Sequence, residues 1–263
     1  MEQAQDFQHE SEALATVLSE LPDADYERPT QFKGWTINDV LVHLHFWNGA
    51  ADLSLTDPDR FQTVLAELMG KLGSGGLRGH ENKEIKERGG DLLAAWTSLF
   101  RDMGPRWSEL DPKTRVAWAG PSMSVRSSMT ARQMETWAHG HEIFDLLGLQ
   151  REEKDRIRNV VVLGINTFGW TFKVHGLDAP ETMPQVLLTL PSGKAAEFGE
   201  PGNGQISGSA VEFAQVVTQT RNIADTQLAV EGSVASQWME HAQCFAGPPE
   251  TPPAPGTRHR QTG

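Results

Sequence analysis

The chain is nearly without cysteine, since Cys244 is the single one among 263 residues. One thiol excludes disulfides, CxxC redox motifs and cysteine-rich zinc sites within a single chain. His241 precedes Cys244 by one helical turn, but the ordinary interpretation of such a cysteine is a small buried apolar side chain. Metal or catalytic chemistry must therefore come from other residue types.

Basic residues are also scarce. Lys and Arg number 23 against 35 Asp and Glu, which gives a formal net charge of -12. Nucleic-acid binding needs clustered cations, so nucleic acid is not an expected partner. No apolar run approaches the ~20 residues that span a bilayer, and the polar start at residues 1–6 shows no secretory signal. We therefore expect no membrane association and a cytoplasmic location.

The pattern that is present changes near residue 150. Before it, apolar residues recur at helical spacing, and two capping signals, Thr36 with Asp39 and Thr130 with Gln133, predict where two of the helices begin. Four substantial helices with apolar stripes predict an all-α four-helix bundle over residues 1–150. The four helices are predicted near 4–20, from Thr36 onward, near 80–110 with a break at Gly89-Gly90, and at 130–148. A shorter helical piece is predicted near 58–72.

After residue 150 strands are mixed with helices, which predicts a small α+β domain over residues 151–247. A helical run is expected at 152–175, and strand patterns lie at 185–190, 195–198, 205–208 and 228–230. Helices are expected at 209–220 and 233–245. The tail at 248–263 is rich in Pro and Gly, which predicts disorder.

One helical segment carries a carboxylate and an imidazole on the same face. Glu135 and His139 lie one turn apart, so their side chains stack along the helix. Most such pairs are only a solvated helix face, and a divalent cation needs a third ligand from another helix. His141 lies about 200° around the helix from His139 and cannot face the same ion.

Two histidines of the second helix are candidates for the third ligand. His43 and His45 flank the apolar face of that helix on opposite sides, so only one of them can point into a given site. Helical periodicity does not decide between them.

Residues 34–44, GWTINDVLVHL, resemble the "GW-T-x-x-D-x-x-x-H-L" signature of the DinB-like helical-bundle metal proteins. Residues 135–142 resemble the "E-x-W-x-H-G-x-D/E" segment of their mycothiol-dependent maleylpyruvate isomerase branch, although His141 stands where the family more often has Trp or Gln. Residues 116–124 are similar to a loop of one uncharacterised subgroup, and 206–210 to the start of a helix in a sterol-carrier-like domain. The resemblance implies a DinB-like bundle with up-down-down-up topology followed by a small sterol-carrier-like α+β domain.

The resemblance also implies a set of functional residues. In the family, the histidine of the first motif and the Glu and His of the second hold one divalent metal, which carries over to His43, Glu135 and His139. Zinc is expected first, with nickel or iron as alternatives. Asn82 and Arg88 stand where the family often has an Asn and a downstream Arg. Arg88 is a candidate catalytic residue that pairs with a substrate carboxylate, the alternative being a surface salt bridge.

The function implied by the resemblance is thiol chemistry. A metal with open positions lowers the pKa of a bound thiol, so a low-molecular-weight thiol such as mycothiol is the expected cofactor. The reaction would be cis/trans isomerisation or S-transfer on a small electrophilic or unsaturated acid. Trp47, Trp118 and Trp137 either line the cavity or simply pack in the core.

Two other functional classes stay open from the residues alone. One is a non-catalytic metal-binding or ligand-binding regulatory module, and the other is a metal-dependent hydrolase. Association into a homodimer through the bundle is compatible with the pattern.

Overall fold

The structure is a computed structural model that describes residues 1–71, 76–119 and 122–262. The chain divides into two compact units, Met1–Ile143 and Phe144–Gly263. This division falls inside the helix at Val125–Leu146, and the predicted boundary at residue 150 stays a prediction. Within the described residues no helix is both long and apolar enough to cross a bilayer.

The first unit is helical. Its helices are α1 Glu2–Ser19, α2 Ile37–Thr56, α3 Pro58–Lys71, α4 Gly76–Glu84, α5 Gly89–Ser108 and α6 Val125–Leu146, and a short antiparallel pair, β1 Arg115–Val116 and β2 Met123–Ser124, precedes α6. Residue 72, where the helix predicted near 58–72 ends, lies outside the described residues, as do positions 120 and 121 of the 116–124 loop.

The core of the first unit lies where α5 packs against α1 and α2. The buried face of α5 recurs every three or four residues, which is the stripe that an amphipathic helix presents. Its fully buried members are Leu92, Trp96, Phe100, Met103 and Trp107. Helices α3 and α4 pack against α2, so α2 has neighbours on several sides.

The start of α2 is as predicted. The Thr36 hydroxyl accepts a hydrogen bond from the Asp39 backbone N–H at 3.1 Å, and the Asp39 carboxylate accepts one from the Thr36 N–H at 2.9 Å. This capping box satisfies amide groups that the first turn of a helix leaves free.

The predicted start of α6 is wrong. Thr130 and Gln133 lie buried inside the helix, which begins at Val125. Ser124 supplies the cap instead, because its hydroxyl accepts a hydrogen bond from the Ser127 N–H at 3.1 Å. The Val125 N–H is satisfied by the Thr114 carbonyl at 2.8 Å, so the β1–β2 hairpin moves the helix start upstream of the predicted box.

The second unit combines helices with a sheet. Its strands are β3 Gln185–Thr189, β4 Ala195–Phe198, β5 Gln205–Ser209 and β6 Ala229–Glu231, and its helices are α7 Arg158–Asn166, α8 Phe168–Val174, α9 Ala210–Val217 and α10 Ser233–His241. The strand order is β4-β3-β5-β6, with β3 and β5 parallel and the other neighbours antiparallel. The predicted single helical run at 152–175 is two helices that meet at Thr167.

The tail is the segment for which composition predicts disorder. Residues 248–262 form no helix or strand, yet their backbone is held by hydrogen bonds. The Pro253 carbonyl accepts from Asn222 at 2.8 Å, the Gly256 N–H donates to Asp225 at 2.9 Å, and the Gln261 N–H donates to the Asp145 carbonyl at 2.9 Å. Composition indicated few apolar anchors, but it carries no information about such polar ones.

A helical N-terminal region followed by a small sheet-containing region is therefore what the structure shows. The four-helix count, the up-down-down-up topology and the sterol-carrier-like assignment stay predictions.

Candidate metal centre

Of the two histidines of α2, His43 is the one that lies beside Glu135. His43 points toward α6, with its side chain 11% exposed, and its Nε2 lies 3.6 Å from Oε2 of Glu135. His45 lies outside this cluster, and its Nδ1 is buried without a hydrogen-bond partner among the described residues. The choice was invisible to helical periodicity because both histidines flank the apolar face symmetrically.

Helix α6 supplies the other two groups. Nε2 of His139 lies 3.4 Å from Oε2 of Glu135, the same oxygen that faces His43. One ligand atom from each of the three side chains lies within 4.8 Å of the others. Tetrahedral ligands about 2.1 Å from a zinc ion are about 3.4 Å apart, so the carboxylate-to-imidazole separations suit a cation between them.

Glu81 of α4 holds His43 from behind. Its Oε1 lies 2.9 Å from Nδ1 of His43 and accepts a 2.7 Å hydrogen bond from Nε1 of Trp47. The Glu81 side chain is 1% exposed. A carboxylate on one ring nitrogen fixes the tautomer and leaves the other nitrogen free to bind, as in carboxylate–histidine–metal arrangements. Sequence reasoning missed Glu81, and no local pattern marks it.

A tight turn before α2 places two aromatic rings against His139. Lys33 and Gly34 both have positive φ, 52° and 67°, and the Trp35 N–H donates to the Phe32 carbonyl at 2.9 Å. The Trp35 ring stacks on the His139 ring with centroids 5.8 Å apart, and the Phe32 ring meets it edge-on at 5.0 Å. These rings restrict the orientation of the imidazole.

Arg132 lies one turn before Glu135 on α6. It is 4% exposed, and its Nε and Nη1 have no hydrogen-bond partner among the described residues. Its Cζ lies 5.3 Å from the ring centroid of Trp118, a cation–π arrangement. Trp118 in turn meets Trp47 with ring centroids 5.5 Å apart, so the arginine shares an aromatic wall with the group that holds Glu81.

The pKa values of the cluster are coupled. Burial lowers the pKa of His43, but the Glu135 and Glu81 carboxylates outweigh burial and raise it to about 9. Burial raises the pKa of Glu135, but hydrogen bonding with His139 and His43 and the charge of Arg132 hold it well below its usual range. Burial lowers the pKa of His139. The metal-free state at neutral pH therefore has a charged Glu135, a protonated His43 and a neutral His139.

Arg88 hydrogen-bonds to neighbours on its own segment rather than to the three-residue cluster. Its Nη1 donates to the carbonyls of Ile85 at 2.9 Å and Glu87 at 2.6 Å, and its Nη2 donates to Oδ1 of Asn82 at 2.5 Å. Asn82 donates onward to Asp39 at 3.1 Å. The residues Asn82 and Arg88 are thus joined, and they link α4 to the capping box of α2.

The remaining sequence candidates are not members of the three-residue cluster. Trp137 is fully buried, with the His141 ring 4.8 Å away. Cys244 is buried, and its N–H donates to the Val217 carbonyl. His241 faces His175, with ring centroids 5.3 Å apart.

Known proteins resemble the chain in both sequence and fold. Residues 7–144 match the family described as mycothiol maleylpyruvate isomerase N-terminal domain. An uncharacterized protein of Mycobacterium tuberculosis strain CDC 1551 / Oshkosh is 33% identical over 249 residues, which is 93% of this chain and 95% of that protein. The same figures hold for the uncharacterized protein of strain ATCC 25618 / H37Rv.

Among solved structures, the crystal structure of the mycothiol-dependent maleylpyruvate isomerase is 16% identical in sequence. It superposes with a TM-score of 0.50 and covers 82% of this chain and 87% of that chain. At this identity the likeness concerns the fold. The matched family spans α1 to the site-bearing part of α6, and the fold agrees with it, so the chain belongs to the DinB-like mycothiol maleylpyruvate isomerase N-terminal domain family.

Proposed function

We propose that this protein binds one divalent metal through His43, Glu135 and His139 and uses it in chemistry that depends on a low-molecular-weight thiol. The observation that carries the proposal is the convergence of two imidazoles and one carboxylate from α2 and α6 within 4.8 Å. Three protein ligands leave coordination positions for water or a substrate, which is typical of catalytic rather than closed structural sites.

The donor set fits a borderline cation. Two neutral imidazoles and one carboxylate leave net positive charge on a divalent ion, and mixed nitrogen and oxygen ligands suit zinc, nickel and iron alike. Zinc is our first assignment. The Glu135 side chain is 21% exposed and the His139 side chain 12% exposed, so the described residues do not fully enclose either ligand.

The chain's own residues prepare this set before any metal arrives. Glu81 takes the Nδ1 side of His43, which keeps Nε2 directed toward Glu135. Trp35 and Phe32 hold the plane of His139 from the other side. Preorganised ligands lower the entropic cost of binding, because fewer rotamers must be frozen when the metal enters.

The thiol is proposed from the family. When bound, the metal would supply the Lewis acidity that keeps a coordinated thiol deprotonated at neutral pH, where a free thiol with a pKa near ~8.5 is mostly protonated. Mycothiol is the thiol that the family name states. We propose thiol-dependent cis/trans isomerisation or S-transfer as the reaction class.

Substrate and assembly are proposals of the same kind. A small electrophilic or unsaturated acid is the proposed substrate, and Arg88, whose guanidinium meets Asn82, is a proposed secondary contact for it. We further propose that the protein forms a homodimer and has neither nucleic-acid nor membrane partners.

Elemental analysis tests the metal site. We expect about one divalent metal per purified chain, and loss of that metal in His43→Ala, Glu135→Ala and His139→Ala. His45→Ala is the matched control, since His45 lies on the same helix outside the cluster. Stoichiometric metal in both His43→Ala and Glu135→Ala would reject the site.

Optical titration tests the thiol. Protein loaded with Co²⁺ is titrated with mycothiol, glutathione and cysteine while the visible and near-ultraviolet spectrum is followed. A sulfur-to-metal charge-transfer band that saturates with one thiol supports thiol chemistry. A spectrum unchanged by every thiol would reject it and favour a metal-binding regulatory module.

A further inference from the structure

Arg132 is a buried cation that the three-residue metal set does not use. It is 4% exposed, and two of its three guanidinium nitrogens lack a hydrogen-bond partner among the described residues. Burying a guanidinium with unpaired N–H groups is unfavourable unless a partner compensates for the lost hydration. Most of the N–H groups of this buried arginine therefore lack a hydrogen-bond acceptor among the described residues.

The position of Arg132 relates it to the candidate metal centre. Arg132, Glu135 and His139 follow one another at helical spacings of three and four, so they share one face of α6. The charge of Arg132 acts on Glu135, because it contributes to the low pKa of that carboxyl. The guanidinium face is covered by Trp118, which leaves the planar N–H edge for a polar group.

The charge balance of the site calls for an anion. A divalent ion contributes two positive charges, Glu135 and Glu81 remove two, and two neutral histidines add none. Arg132 then leaves one positive charge in a largely buried region. One monoanionic group beside the metal would balance that charge and pair with the guanidinium N–H groups that lack a partner among the described residues.

We propose that Arg132 is an anion-binding residue of this site, which recognises a carboxylate of the ligand that binds beside the metal. The proposal rests on the proposed metal function, and it assigns the specificity of that site to a residue outside the metal ligands. A planar carboxylate matches the two parallel N–H groups of a guanidinium, whereas an uncharged amide of equal size does not.

The test uses succinate, an unreactive dicarboxylate, and succinamide, its uncharged analogue. Calorimetric titrations at constant ionic strength are run on wild type, Arg132→Met, Arg132→Gln and the exposed-site control Arg126→Gln, each with and without Co²⁺. We expect wild type to bind succinate at least about tenfold more tightly than succinamide. Both Arg132 variants should lose that preference while Arg126→Gln keeps it.

Arg132→Met separates recognition from structural support. Replacing a buried, poorly paired charge with an apolar side chain of similar length is often neutral or stabilising. We therefore expect an unchanged or higher Tm together with retained Co²⁺ and lost succinate affinity. A lower Tm with wild-type succinate binding would assign Arg132 a structural role and overturn the proposal.

The outcomes also separate this proposal from the metal proposal. If wild type holds no metal, the metal function fails, but succinate binding to the metal-free protein still decides the role of Arg132. The anion site is overturned if wild type binds succinate neither with nor without Co²⁺. It is also overturned if wild type and both Arg132 variants bind succinate equally. Neither outcome changes the metal assignment. If Arg132→Met does not fold, Arg132→Gln provides the affinity comparison. If Arg132→Gln does not fold, Arg132→Met provides it.

Discussion

The molecule holds two pairs of histidine rings at nearly the same separation. His43 and His139 have ring centroids 4.9 Å apart in the helical unit, and His175 and His241 have centroids 5.3 Å apart in the second unit. Ring separation alone therefore does not distinguish a site from a packing contact.

The difference lies in what each ring nitrogen faces. In the second unit, Nδ1 of His175 lies 2.8 Å from the Thr171 carbonyl and Nε2 lies 3.3 Å from the Glu250 carbonyl, so both nitrogens are occupied by backbone. In the first unit, Nε2 of His43 and Nε2 of His139 both face Oε2 of Glu135. The carboxylate that both Nε2 atoms share makes the first pair a candidate ligand set.

The largest test of this contrast is Glu135→Gln. The amide keeps the shape of the side chain but removes the negative charge that joins the two imidazoles, so we expect metal affinity to fall by at least about a hundredfold. Competition with a chromophoric chelator measures the loss. His175→Ala, from the second pair, should bind metal as wild type does, and an equal loss there would break the comparison.

Glu81→Gln should have the next largest effect. The amide can still approach Nδ1 of His43, but it no longer fixes the tautomer by charge, so we expect a loss of metal affinity of about 10–100-fold. Glu84→Gln, an exposed carboxylate of the same helix, is the control. The same chelator competition applies, and unchanged affinity in Glu81→Gln would show that His43 is oriented without its carboxylate partner.

Metal affinity should depend on pH through His43. With its pKa at about 9 in the metal-free state, His43 carries a proton at pH 7 that must leave before Nε2 can bind. Apparent affinity should therefore fall about tenfold for each pH unit below about 9, with close to one proton released per metal at pH 7. Calorimetry in two buffers of different ionisation enthalpy counts the protons, and zero release would contradict this protonation state.

The same pKa shift acts on the stability of the metal-free fold. The folded pKa of about 9 lies above the ordinary value of 6.5, so folding favours the protonated imidazole. The stabilisation is fully present below pH 6.5 and is lost as the pH rises through about 9. Urea unfolding of metal-free protein between pH 6 and 10, approximately, should show this loss, and His43→Ala should flatten it.

Trp47→Phe should have the smallest effect. An aromatic ring remains, but the Nε1 donor to Glu81 is removed. Glu81 is then held less firmly, and through it the orientation of His43 is weakened. A hydrogen bond to a charged acceptor is worth roughly 1.5–3 kcal/mol, and only part of it reaches the metal, so we expect a loss of affinity of a few fold. Trp137→Phe, elsewhere in the core, is the matched control in the same chelator assay.

Local pattern predicted the elements whose signals lie in a few adjacent residues. The Thr36–Asp39 capping box gave the start of α2, and the strand patterns near 185–190 and 195–198 correspond to β3 and β4. The start of α6 was missed because the N–H of its first residue, Val125, is satisfied by the Thr114 carbonyl, which the pairing of β1 with β2 brings close. Propensity scales do not contain that pairing.

The candidate site divides in the same way. Glu135 and His139 share a face by spacing alone, and family resemblance selected His43 over His45. Glu81 and Arg132 carry no signal of their own, and Trp35 stands in the first motif without any indication that it stacks on His139. Each of these residues acts through a contact with another segment. Such contacts follow from packing, which one sequence does not reveal.

Asp39 gives the helix cap a second consequence. Its carboxylate closes the capping box of α2 and also accepts hydrogen bonds from Arg78 at 2.6 Å and Asn82 at 3.1 Å. Those two residues bracket Glu81, while Thr36, the other half of the box, directly follows Trp35.

Fraying of the first turn of α2 is therefore coupled to movement of both supports of the imidazoles. By thermodynamic reciprocity, an occupant that tightens the imidazoles must slow amide hydrogen exchange at residues 37–40. Amide exchange at the start of α2 thus reports whether the imidazole site, more than one helical turn away, is occupied.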